Sequence, residues 1–159
     1  MAKIAVTGGS GKAGRVVVSD LAAHGHEVLN IDIVGSPESY HPEEAPIPFL
    51  RADVTDFGQA LEALSGGDTL PGVEAVVHLA AIPSPAHATP DQVFRTNVTS
   101  TYAVFSAAQR LGLRRVVWAS SETTLGLPFD HPPKYAPVDE ASPMPVRSSA
   151  TSRISAGVS

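Results

Sequence analysis

Apolar residues gather in five short runs, separated by longer stretches with helical spacing. Lys3-Ile4-Ala5-Val6, Val28-Leu29-Asn30-Ile31-Asp32-Ile33, Phe49-Leu50-Arg51-Ala52, Glu74 to Ala81 and Arg115 to Ala119 read as buried strands. Arg15 to Ala23, residues 57–64 and residues 90 to about 111 read as helices. The first of these ends at His24-Gly25-His26, where Gly25 can take the left-handed conformation. Thr55 or Asp56 can cap the second. The third opens on Thr89-Pro90-Asp91-Gln92, a capping box with proline at the first helical position. Its expected buried stripe is Phe94, Val98, Thr101, Phe105, Ala108 and Leu111, at three- and four-residue spacing. Asn97 lies on the neighbouring face, where an amide bonds backbone or water. Strand and helix alternate from residue 3 to 119, which predicts an α/β, doubly wound parallel sheet of about five strands.

The pattern stops beyond Gly126. Six prolines lie between residues 128 and 145, and the last stretch is small and polar. The expected organisation is therefore a strand-and-helix domain over 1–127 and a Pro/Ser-rich irregular tail over 128–159. Residues 34–48, with four prolines, read as a surface loop.

The turn after the first strand changes the picture from fold to chemistry. Thr7-Gly8-Gly9-Ser10-Gly11-Lys12-Ala13-Gly14 joins a strand to a helix, with glycines at 8, 11 and 14. The first permits a tight turn, the second lets a pyrophosphate approach the backbone, and the third lets the helix pack close to the sheet. The helix N-terminus would present its N–H groups to the phosphates. Asp32, 24 residues beyond Gly8, ends the second strand where an acid accepts from ribose hydroxyls. Ile33 follows it, with no Arg there to meet a 2′-phosphate, so NAD is expected ahead of NADP. A triphosphate loop is excluded: Val6 stands where its first glycine belongs, and Ala13 replaces the magnesium-binding hydroxyl.

Composition narrows the class further. The 159 residues are 43% apolar and 17% charged, which suits a globular chain with a sizeable core. A net charge of −5 without a basic stripe argues against nucleic acid and anionic membrane as partners. With no cysteine there is no disulfide, thiol nucleophile or thiolate metal site. His24, His26 and His41 read as solvated positions rather than metal ligands, and His78 as a core histidine. No run approaches a membrane span and no leader precedes the first strand, so a cytoplasmic protein is expected.

Together these residues resemble the extended short-chain dehydrogenase/reductase family, the NAD-dependent epimerases and dehydratases, over residues 3 to about 142. Thr7-Gly8-x-x-Gly11-x-x-Gly14 looks like the family's cofactor turn. Asp53-Val54 is similar to its adenine-contacting pair, and Leu79-Ala80-Ala81 to its strand-four segment beside the cofactor. Asn97 matches the helix Asn that steadies a neighbouring strand. Val117 to Gly126 looks like the segment carrying the active-site hydroxyl, which implies Ser121, with Thr123 nearby. The resemblance implies a Rossmann-type sheet and hydride chemistry on a sugar nucleotide or small hydroxy substrate. In that chemistry a Tyr moves the substrate proton and a Lys four residues later lowers the Tyr pKa. A homodimer paired through the helix over 90–111 is the partner that family habit implies.

The sequence departs from the family at that pair. Its tyrosines are Tyr40, Tyr102 and Tyr135, followed four residues on by Glu44, Ser106 and Asp139. Ser149 and Arg153 fall about where the Tyr and Lys belong, and a Ser hydroxyl is a far weaker acid than a phenol. The usual C-terminal part has no counterpart in these residues, and a shifted reading frame near residue 143 is the expected cause. Three readings follow: a truncated, catalytically impaired member of the family; a non-catalytic dinucleotide-binding sensor or partner module; or an unstable remnant with a bare fifth strand at its edge.

Overall fold

A computed structural model of the protein describes residues 1–35, 47–83, 87–121, 135 and 139. The chain divides into two units, Met1–Trp118 and Ala119–Ser159. The first contains β1 (Lys3–Thr7), α1 (Lys12–Ala23), β2 (Glu27–Asp32), β3 (Phe49–Arg51), α2 (Phe57–Ser65), β4 (Ala75–His78), α3 (Pro90–Arg110) and β5 (Arg115–Trp118). The strands form one sheet in the order β3-β2-β1-β4-β5, every pairing parallel. From β1 the chain lays down β2 and β3 on one side, then crosses back to place β4 and β5 on the other. The order thus reverses between β1 and β4, and at such a switch point the connections leave in opposite directions and open a crevice beyond the strand ends.

The core explains why these strands are short and apolar. Ala5, Val6, Leu29, Ile31 and Val76 are fully buried, as expected for a parallel sheet covered on both faces. Alternate residues separate the two faces. Ile4, Val6 and Val28 pack with Val18 of α1, while Ala5, Leu29, Ile31 and Val76 pack with Ala60 and Leu64 of α2 and Val104 and Ala107 of α3. Asp56 caps α2 by accepting from Gln59 N at 2.8 Å, and Gly66 ends it in the left-handed region at φ +81. The capping box of α3 forms as the sequence predicts: Thr89 Oγ1 accepts from Gln92 N, and Gln92 Oε1 accepts from Thr89 N.

Four elements have bounds that differ from expectation. α1 begins at Lys12 rather than Arg15, because Gly11 is its N-cap and Arg15 N already donates to Gly11 O at 3.0 Å. β4 stops at His78 rather than Ala81: Leu79 N still donates to Thr7 O, but the chain then passes beneath Gly8. β2 runs Glu27–Asp32, one residue earlier than read, and β5 ends at Trp118.

The expected stripe of α3 is corrected except at Ala108, which is buried, and Leu111, which packs against the core. Its buried residues are Ser100, Ala103, Val104, Ala107 and Ala108. Phe94 is 63% exposed and Val98 51%, and Phe105 is also exposed. The helical period is right and its phase is wrong, by roughly one residue's rotation about the axis. Small residues let α3 lie close to α2 and the sheet, whereas the larger ones chosen by hydrophobicity have no room there.

Candidate functional site

A cleft of about 350 Å³ opens at the carboxyl ends of β1, β2, β3 and β4, at the switch point. The glycine turn contributes Gly8, Ser10 and Gly11. The end of β2 contributes Ile31, Asp32, Ile33 and Val34, and the segment after β3 contributes residues 52–55. Residues 79–82 after β4 and Thr96 and Ser100 of α3 complete the lining.

The turn is fixed by backbone. Gly8 N donates to Ile31 O at 2.8 Å and Gly11 N to Gly8 O at 3.1 Å. Gly8 has φ +73, and a Cβ there would stand 2.6 Å from Ala80 N. A Cβ on Gly14 would collide with the Gly8 carbonyl oxygen. Both positions therefore require glycine: the first for the turn and its closeness to β4's extension, the second for the seating of α1. α1 starts at the rim, so the positive end of its dipole and its first N–H groups lie beside Gly11.

Asp32 is held by three backbone donors. Its Oδ2 accepts from Ser10 N at 3.0 Å, and its Oδ1 from Ile33 N at 2.7 Å and Val34 N at 3.3 Å. The carboxylate thus joins the glycine turn to the end of β2 at the cleft wall. Asp53 makes a local turn, its Oδ1 accepting from Thr55 N at 2.9 Å and Thr55 Oγ1 at 2.7 Å. On the opposite wall the Asn97 amide closes a ring with the backbone of Ile82. Asn97 Oδ1 accepts from Ile82 N at 2.8 Å and Asn97 Nδ2 donates to Ile82 O at 3.0 Å. That pair pins the segment after β4 to α3.

Behind the cleft a buried relay crosses three elements. Thr101 Oγ1 donates to Asn97 O at 2.8 Å, which leaves it to accept from His78 Nε2 at 3.4 Å. His78 Nδ1 then accepts from Thr7 Oγ1 at 2.7 Å. Burial pulls the His78 pKa down to about 4, so the imidazole is neutral near pH 7. His78 is a core histidine, as its place in the fourth apolar run suggests.

Of the residues that the sequence marks, Gly8, Ser10, Gly11, Asp32, Ile33, Asp53, Val54, Leu79, Ala80 and Ala81 line the cleft. Thr7, Gly9 and Gly14 are buried behind it, Lys12 and Ala13 form the exposed first turn of α1, and Asn97 braces the wall from α3. Ala52, Thr55, Ile82, Thr96 and Ser100 also line it without having been singled out. Thr96 and Ser100 lie four apart on α3, flanking Asn97, and that polar spacing was the available signal. Ser121 is exposed in the second unit. Thr123, Ser149 and Arg153 lie outside the described residues. In the second unit Tyr135 Oη donates to Asp139 Oδ1 at 2.7 Å. Among the described residues no three His, Cys, Asp or Glu side chains group as a metal site, and no helix is long and apolar enough to cross a membrane.

Known proteins share this architecture. L-arabinose 1-dehydrogenase (NAD(P)(+)) of Haloferax volcanii is 39% identical over 121 residues, which are 76% of this chain and 41% of that one. A short-chain dehydrogenase/reductase superfamily protein of Agrobacterium tumefaciens, solved with bound NAD, superposes with a TM-score of 0.70 at 32% identity, covering 92% of this chain and 40% of its own. UDP-glucose 4-epimerase of Bifidobacterium longum, solved with NAD+ and UDP, shares the fold with a TM-score of 0.76 at 20% identity, over 99% of this chain and 49% of that one. The chain thus spans less than half the length of each. The family model described as NAD dependent epimerase/dehydratase family matches residues 4–152, and the chain belongs to that family.

Proposed function

We propose that the cleft binds NAD, and that these 159 residues do not by themselves complete the family's redox cycle. The observation that carries the first half is Asp32, a carboxylate at the cleft wall, tied to the glycine turn through Ser10 N. The site fits a dinucleotide. The turn at Gly8 and Gly14 is packed so closely that a Cβ would fill it, and α1 opens beside Gly11. Gly8, Ser10, Gly11 and the first turn of α1 would hold the pyrophosphate, and Asp32 the adenosine ribose. Asp53 and Val54 would meet the adenine, and Leu79, Ala80 and Ala81 would lie under the inner half of the cofactor. Bound NAD supplies hydride acceptance from a carbon bearing a hydroxyl.

The second half rests on what the sequence lacks. Turnover needs a group to take the hydroxyl proton as the hydride leaves, and no tyrosine of this chain has a lysine four residues later. Ser121 and Thr123 can donate or accept a hydrogen bond to a reacting oxygen, but near neutral pH a hydroxyl does not serve as the base. Loss of a general acid/base costs about 10² to 10⁴ in rate. The substrates named for relatives, an aldose and a nucleotide-linked sugar, give the classes to try.

Calorimetric titration with NAD and with NADP tests the first half: saturable binding with NAD preferred is expected, and no binding by a folded chain overturns it. NADH formation with L-arabinose or a UDP-sugar tests the second, and turnover at rates typical of dehydrogenases would refute it. Binding without turnover is also what a sensor or partner module would display, and the missing Tyr–Lys pair suits that second reading equally.

A further inference from the structure

Asn30 is a primary amide placed where the pattern calls for a hydrocarbon. It lies inside β2 among Val28, Leu29 and Ile31, and it is fully buried. Burying an amide costs free energy unless both its ends are satisfied. Its Nδ2 donates to Ser10 Oγ at 3.1 Å. Ser10 Oγ passes the bond on, donating to Val34 O at 3.2 Å, while Ser10 N donates to Asp32 Oδ2 at 3.0 Å. Gly9 lies directly on the same amide: a Cβ there would collide with Asn30 Oδ1 and Cγ. Asn30 and Asp32 are two residues apart on one strand and so share a face. The same face of β2 holds Ser10 twice, Asp32 at its N–H from the rim of the cleft and Asn30 at its hydroxyl from beneath. Asn30 is absent from the lining of the cleft, whereas its partner Ser10 is part of it.

We propose that Asn30 is a positioning residue that sets the glycine turn before cofactor arrives, acting through Gly9 and Ser10. This rests on the reading of the cleft as a dinucleotide site. The side chain suits the task because it offers a donor to Ser10 and an oxygen toward Gly9 without bringing a charge into the core. An aliphatic side chain of similar size would leave Ser10 Oγ without that donor. A carboxylate would lose the donor and bury a charge two residues from Asp32. A turn already held in its binding conformation loses less freedom when ligand docks, and that gain appears as affinity rather than as a new contact.

The test uses Asn30→Ala, Ser10→Ala and the double variant, in the full chain, with two readouts. The first is amide hydrogen exchange without cofactor. Each single variant should speed exchange at residues 9–11 by about tenfold while amides of β1 and β4 keep their protection. The second is NAD affinity by titration. Each single variant should weaken it by about tenfold, and the double variant by clearly less than the product of the two, because both cut the Asn30–Ser10 link. Ser10→Ala removes only a hydroxyl on a half-buried loop, so it reports even where Asn30→Ala fails to fold. Unchanged exchange at residues 9–11 in Ser10→Ala, or single effects on affinity that multiply in the double variant, would overturn the proposal. A wild-type chain that does not bind NAD removes the dinucleotide reading instead. The exchange arm, run without cofactor, then still decides whether Asn30 holds the turn.

Discussion

The glycine turn and the outward face of α3 differ in what fills them. Around the turn, atoms are so close that single Cβ atoms at Gly8 and Gly14 have nowhere to go. Its contacts are made by backbone N–H groups: Gly8 N to Ile31 O, Gly11 N to Gly8 O, Ser10 N to the Asp32 carboxylate. On α3 the inner face is built from Ser100, Ala103, Val104, Ala107 and Ala108, and the outer face carries Phe94, Val98, Tyr102 and Phe105 in the open. Phe105 meets Trp118 of β5 edge to face at 5.2 Å, yet Trp118 is itself 51% exposed. Size and burial are thus inverted between the two faces of one helix. Where a ligand or another backbone must come close, the chain uses its smallest residues. On α3 the larger apolar residues stand on the surface that those small ones leave free.

This contrast can be broken from either side. The largest effect belongs to Gly14→Ala, whose Cβ meets the Gly8 carbonyl oxygen. It should destabilise the fold by about 3 kcal/mol or more and abolish NAD binding, measured by urea denaturation and titration. If it were mild, the turn would be looser than its contacts imply.

Next comes the relay behind the cleft. An unfolded His titrates near 6.5, whereas the folded His78 takes its proton only near pH 4. Between those values the unfolded chain binds the extra proton, so stability falls as pH drops from 6.5 to 4 and the loss is complete below. The change is roughly 3 kcal/mol. A His78→Gln variant should lack that part of the slope; equal slopes in the two proteins would refute the assignment.

On α3, Ala107→Leu on the inner face should cost about 2 kcal/mol by overpacking, seen as a lower urea midpoint. Tyr102→Ser on the outer face, at 72% exposure, should change stability by less than about 0.5 kcal/mol. Equal costs at both positions would mean that the outer face is covered in solution.

Much of this was legible because its causes are local. A strand of four apolar residues, a glycine turn and a capping box are each written in adjacent positions, and β1, the turn and the start of α3 appear where the sequence puts them. Asp32 was legible by its distance from Gly8. The phase of α3 was not, because which face is buried depends on α2 and the sheet, elements distant in sequence. Hydrophobicity favours Phe94 over Ser100, whereas close packing favours the reverse. Asn30 was hidden for a related reason: within an apolar run a single amide looks like an interruption, and only its partners on the turn give it a purpose. Thr96 and Ser100 reach the cleft because β4 lies beside α3, and their four-residue spacing about Asn97 was the one local trace of it.

The bond from Thr7 to His78 joins residues 71 apart in the chain. Loop-closure entropy makes such a contact slow to form. During synthesis the glycine turn emerges early, but the strand that lies beside it and the Ala80 backbone beneath it come only after α2 has been made. The cleft is therefore completed late, once β4 lies next to β1 and α3 supplies Thr96 and Ser100. A nascent or proteolysed chain ending before residue 82 carries the whole glycine motif and lacks the wall against which it works.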